Sequence, residues 1–210
     1  ILTAGYLNNR RLLDPVIYIF SKLVQVRGIV RPVVGKYRHL VAELDSDEVL
    51  VGQHRLTGKE AAPIQTPVRQ VYLSETEDSP QPCHIRIRSK MKELIQSAEL
   101  ICYPMGSFYS SLIANLLPKG VGEAVSRVNC PKIYIPNPMI DPESRGLSPA
   151  RQTEILLSHL KADAPDQITN REVLHAVLVD KARGNYGGPV EEARIRALGM
   201  EVIDYPLITD

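Results

Sequence analysis

The chain has 210 residues, 44% of them hydrophobic, and a formal net charge of +1. That length and apolar content allow a sizeable core within one domain, and the near-neutral charge supplies no global field for nucleic acid or an anionic membrane. No apolar run is long enough to span a bilayer and no signal-peptide pattern opens the chain, so the expected setting is cytoplasmic, without membrane or nucleic-acid partners.

From the N-terminus, the opening "ILTAGYLNNRRLLDPVIYIF" begins at Ile1 in the middle of a segment, which predicts an N-terminally incomplete chain. "LLDPVIYIFSKLVQV" places Ile17, Phe20, Leu23 and Val24 at helical spacing behind Asp14-Pro15. "HLVAELDSDEVLVGQHRL" alternates on period two on either side of a polar "DSDE", the signature of a hairpin, and "QVYLSE" adds a strand. "ETEDSPQPC" is a loop or a boundary.

The rhythm then changes. "IRIRSKMKELIQSA" reads as a basic amphipathic helix, "ELICYP" as a buried strand, and "SSLIANLL" with "GVGEAVSRV" as a helical pair. "KIYIP" is a second buried strand, "PARQTEILLSHLKA" a helix, and "VLHAVLVD" a third strand. "PVEEARIRALG" is a helix stopped by Gly199, and "EVIDYPL" is the last strand. Short apolar strands alternating with helices predict a Rossmann-like parallel sheet covered by helices on both faces, with the hairpin as an insertion near the N-terminal end. Residues 1–210 are read as a single α/β domain, with 36–75 the hairpin region and 85–210 the alternating part. Cys83, Cys102 and Cys130 are odd in number and far apart, and read as buried, reduced thiols.

In "ICYPMGSFYSSLIANLL" a strand hands over to a helix through glycine and serines. In open parallel sheets ligands bind beyond the carboxyl ends of the strands. Gly106 lets backbone approach a ligand, and the first amides of the following helix suit a phosphate, with Ser107, Ser110 and Ser111 adding hydroxyls. A plain turn in which Ser107 caps the helix fits the same spacing. Asn137 and Asp141, in "YIPNPMIDPES", reach the same edge, and the glycine-rich "DKARGNYGG" ends the next strand as a lid or a loop. "GVGEAV" lacks both the dinucleotide and the P-loop spacing. The five histidines show no metal spacing, and no catalytic constellation is visible.

"GSFYSSLIANLLPKGVGEAV", "CPKIYIPN", "VQVRGIVRPVV", "HLVAELDSDEVLVGQ" and "GMEVIDYPLI" together resemble the CofD-like superfamily, which includes the 2-phospho-L-lactate transferases and the YvcK-type (UPF0052) proteins. Their order and spacing carry the resemblance from Asp14 to Ile208. It implies a strand-end cleft for a phosphorylated nucleotide or nucleotide-sugar ligand, contacted by Gly106, Ser107, Ser110, Ser111, Asn115 and Asn137. It implies Mg²⁺ at the diphosphate, and transfer of a phospho-acid or nucleotidyl group to an acceptor hydroxyl. The alternative is a non-catalytic regulator holding a nucleotide sugar in the same cleft. Met105, Phe108 and Tyr109 could line a pocket for a flat acceptor ring or could be packing. Pro104-Met105 stands where the family has Gly-Pro, and the family's opening glycine-rich turn and acids would lie before Ile1, so this chain alone is not expected to be catalytically competent. The amphipathic helices leave room for a homodimer.

Overall fold

The protein's structure, a computed structural model, describes residues 13–57 and 62–209. The expectation drawn from the opening residues at Ile1 lies outside them. Helix α1 spans Leu13–Leu23 and buries only Val16. A bidentate pair between Arg88 and Asp14 fastens it to the rest of the chain.

The hairpin forms as its alternation predicts. β1 (His39–Leu44) pairs antiparallel with β2 (Val49–Val51), matching Val41 to Val51. β3 (Val68–Ser74) adds to the other side of β1, matching Val41 to Tyr72. The one-turn helix α2 (Gln53–Leu56) follows β2. Leu40, Val41 and Ala42 are all buried, so β1 is covered on both faces, unlike a half-solvated hairpin strand.

The second sheet is parallel and four-stranded: β4 (Ile101–Tyr103), β5 (Lys132–Tyr134), β6 (Ala176–Val179) and β7 (Glu201–Asp204), paired in that order. Helices flank it: α3 (Ser89–Gln96), α4 (Ala114–Leu116), α5 (Val121–Ser126), α6 (Pro149–Lys161), α7 (Asn170–Val173) and α8 (Glu192–Ala197). Side chains of both sheets and of α6 share one hydrophobic cluster. Full burial of a leucine such as Leu156 or Leu160 contributes about 1.5–3 kcal/mol. No helix among the described residues is long and apolar enough to cross a membrane.

Local sequence explains the helix ends. Ser148 caps α6 by accepting from the Arg151 amide, with Pro149 in the first turn. α8 ends on Gly199 at φ +91°, where the Met200 amide reaches Ile195 O at 3.4 Å and the Gly199 amide reaches Arg196 O at 2.9 Å. This Schellman arrangement needs the left-handed residue that glycine supplies.

Three expectations change. Residues 85–87 do not begin a helix, because they exchange backbone hydrogen bonds with Lys119 (Ile87 N to Lys119 O 3.0 Å; Lys119 N to Ile85 O 2.8 Å). Among the described strands β4 is an edge, and Cys102 on it is exposed. Of the three thiols only Cys130 is buried.

The glycines of "GVGEAV" have packing roles. Gly120 takes φ +95° ahead of α5, and a Cβ on Gly122 would lie 1.8 Å from Leu160 O of α6. Gly122→Ala must therefore push two packed helices apart, and is expected to lower the unfolding free energy by about 1–3 kcal/mol in a denaturant titration.

Candidate functional site

The carboxyl ends of β4, β5 and β6 meet at one edge of the parallel sheet. Ile135 N donates to Tyr103 O at 2.9 Å, and Asn185 N, from the loop after β6, donates to Pro138 O at 2.8 Å, so the three strand-end loops are joined by backbone. The described strands run in sequential order and contain no reversal, so the edge, rather than a switch point between them, defines the site.

Beyond β4 the chain enters a wide turn, Phe108–Ile113, in which Leu112 N reaches back five residues to Ser107 O at 3.2 Å. Such π-helical turns occur frequently at functional sites. Its first amides are occupied. Phe108 N donates to Asp141 Oδ2 at 2.7 Å, and Tyr109 N and Ser110 N donate to Glu143 Oε2 at 2.9 and 2.7 Å. The Ser110 hydroxyl donates to Glu143 Oε1 at 2.5 Å. The acids arrive on a short 3₁₀ turn, Pro142–Ser144, which Asp141 itself caps through Oδ1 and the Glu143 amide at 3.2 Å. Asp141 and Glu143 are 5% and 2% exposed, so a helix start that suits an external anion holds two internal ones.

Burial pushes both carboxyls above their ordinary values, while the hydrogen bonds from the turn act in the opposite direction. Asp180, at the end of β6, is equally committed. Its Oδ1 accepts from Ala182 N and Arg183 N at 3.1 and 2.9 Å, and its Oδ2 accepts from Leu207 N and Ile208 N at 3.0 and 3.2 Å. Every carboxylate oxygen of Asp141, Glu143 and Asp180 thus accepts from a protein donor. Each of these oxygens already holds a turn or loop in place, so the set is committed to the backbone and does not fit a metal, and no step is routed through one. Among the described residues no group of three or more His, Cys, Asp or Glu could hold an ion.

The site residues expected from sequence divide into two sets. Ser110 is buried against Glu143, and Asn115 donates to Ser111 O at 2.7 Å within the helix, so both maintain the turn. Gly106, Ser107, Ser111 and Asn137 lie at the open edge. Ser107 does not cap the turn with its side chain, since the acids do so instead. Asn137 Oδ1 accepts from Met139 N at 3.1 Å, and its amide nitrogen has no partner among the described residues. Phe108 and Tyr109 are each 3% exposed, pack edge-to-face at 5.0 Å, and are core. Burial raises the Tyr109 hydroxyl to about 12. The loop after β6 is pinned, with Tyr186 Oη accepting from Asp180 N at 2.9 Å and Gly184 N donating to Asp180 O at 2.9 Å.

Sequence reasoning missed the role of Glu143. Its signal was the spacing of Asp141 and Glu143 around a proline, an Asp-Pro-x capping pattern in the loop that follows β5. A separate open cleft of about 480 Å³, lined by Glu43, Tyr72, Glu77 and Asp78 among others, lies on the antiparallel sheet and shares no residue with this edge.

Residues 5–208 match the family described as 2-phospho-L-lactate transferase CofD. The chain belongs to the CofD family. The gluconeogenesis factor of Bacillus subtilis (strain 168) is 28% identical over 193 residues, which is 90% of this chain and 57% of that protein. The gluconeogenesis factor of Halalkalibacterium halodurans is 27% identical over 192 residues, covering 88% of this chain and 55% of its own length. This CofD chain therefore spans a little over half of the relatives it matches. A crystal structure of a UPF0052 family member from Bacillus halodurans superposes with a TM-score of 0.76 at 21% identity, over 97% of this chain and 63% of that one, and shares the fold.

Glu143→Ala leaves two amides and a hydroxyl without an acceptor in a buried turn, and is expected to cost about 3 kcal/mol or more by chemical denaturation, with Glu143→Gln costing less because one acceptor oxygen remains. The raised carboxyl also sets a pH signature. Stability from a raised acid is present below the ordinary carboxylate range and is lost as pH rises through the folded value. On acidification from neutral pH toward the ordinary carboxylate range, the wild-type melting temperature should therefore rise relative to that of Glu143→Gln in differential scanning calorimetry.

Proposed function

We propose that this CofD-family chain binds a phosphorylated nucleotide-type ligand at the ends of β4 and β5, as a regulatory binding protein of the gluconeogenesis-factor type. Gly106, Ser107, Ser111 and Asn137 contact the ligand, while Ser110 and Asn115 hold the turn that presents them. One observation carries the preference for binding over turnover. Each acid on this edge is a backbone clamp, with its oxygens already accepting hydrogen bonds, so none stands ready as a general base. The names of the two Bacillus-type relatives support the same reading.

A transferase is the second reading, and the description of the matched family favours it. A nucleotide-linked donor would lose its phospho-acid or nucleotidyl group to an acceptor hydroxyl, the new O–P bond forming as the old one breaks, the remaining phosphate-bearing part of the donor leaving with the electron pair of that bond and the hydroxyl proton passing to solvent. Such chemistry depends on positioning more than on a side-chain nucleophile. A homodimer belongs to the same proposal, and light scattering in solution would read it.

A thermal-shift screen of the purified chain separates the readings. The probes are UDP-N-acetylglucosamine, GDP, GTP and a deazaflavin acceptor, each with and without Mg²⁺. At a hundred times its dissociation constant a ligand adds about 2.7 kcal/mol of stability, which a melting curve resolves. Stabilisation by the uridine sugar irrespective of Mg²⁺ is the expected result. Stabilisation confined to a guanine nucleotide with Mg²⁺, or to the deazaflavin, establishes the transferase instead. No shift with any probe overturns both.

A further inference from the structure

We propose that the ends of β4 and β5 hold the uncharged, hydroxyl-bearing part of the ligand and not its phosphates. This rests on the binding reading above and divides that site by chemistry. Residues 104–111 and 135–144 contain no lysine, arginine or histidine, and their charged side chains are Asp141 and Glu143 alone. A phosphate here would face two buried acids, whose mutual repulsion with it water and salt screen poorly. The amides of 108–110, the donors with which a helix start attracts an anion, already donate to those acids.

The groups that remain available are neutral. The Ser107 side chain makes no capping bond, Ser111 is exposed, and neither hydroxyl has a protein partner among the described residues. Asn137 keeps its amide nitrogen as a donor, its oxygen being taken by Met139 N. Hydroxyl and carboxamide groups both match the alternating donors and acceptors of a sugar or polyol. The serine on the turn also faces the loop, since a Cβ built on Gly106 would stand 3.7 Å from Ser111 Cβ. Around these groups runs an apolar rim, with Met105, Met139 and Ile140 being 46%, 60% and 59% exposed, which suits the C–H face of a sugar ring. Arg145 follows the second of these loops directly, where it donates to Gln65 Oε1 at 3.2 Å, and Lys181 and Arg183 stand at the end of β6.

Isothermal titration of UDP-N-acetylglucosamine, UDP and inorganic pyrophosphate against wild type, Ser111→Ala and Asn137→Ala tests the division. Each variant should weaken the nucleotide sugar by about five- to tenfold, as a lost hydrogen bond of about 1–1.4 kcal/mol does, and leave UDP and pyrophosphate within twofold. Equal losses on UDP or pyrophosphate would place phosphate at these residues and overturn the inference while leaving the binding reading intact. So would wild-type affinity that is the same for UDP and for its sugar. Wild type that binds none of the three overturns the inference together with the reading beneath it.

Discussion

Asp141 and Glu143 reach from the loop after β5 into the start of the turn after β4 and accept the hydrogens of three successive amides there. Two strand ends are thereby locked by buried, charge-assisted hydrogen bonds, which are among the stronger contacts available to a protein. The turn, its serines and the rim of Met105 all depend on this clamp for their positions. Its geometry also decides the chemistry of the edge. A helix start open to solvent suits phosphate, whereas one filled by the protein's own carboxylates leaves hydroxyl and carboxamide groups as the available polar groups.

The rest of the fold supports the clamp from beneath. Tyr134, on β5 and 1% exposed, donates to Gln152 Oε1 of α6 at 2.7 Å, which ties the strand carrying the acids to the longest helix of the parallel half. That helix touches α5 at Gly122, where no side chain could fit. The antiparallel sheet joins the same core through Leu40, Ala42, Leu44 and Val71, so the two sheets stabilise the edge together.

Much of this was legible because the signals are local. The period-two pattern from His39 to Val51, the capped start of α6 at Ser148-Pro149, and the Gly199 stop of α8 each depend on neighbours in sequence. The parallel strands followed from the same alternation, and so did the edge where the loops after them gather. What escaped was contact across long separations. Ser107 carries every local mark of a cap, yet acids more than thirty residues away took its place, as the 33-residue separation of Ser110 from Glu143 shows. Residues 85–87 have helical spacing but were captured by Lys119 as an extended bridge. Phe108 and Tyr109 looked equally suited to a pocket or to packing, and only the tertiary fold could place them in the core.

Asp180 imposes an order of assembly. Its Oδ2 accepts from Leu207 N and Ile208 N, amides 27 and 28 residues further along the chain, while the backbone of Asp180 itself holds the loop after β6 through Tyr186 and Gly184. A ribosome delivers residues 207 and 208 well after Asp180, so this buried carboxylate waits for half of its partners until they are made. The third loop of the edge is therefore completed by a segment 27 residues downstream of Asp180. Nascent chains still tethered through residue 208 have β4 and β5 within reach of each other but an unfinished edge at β6.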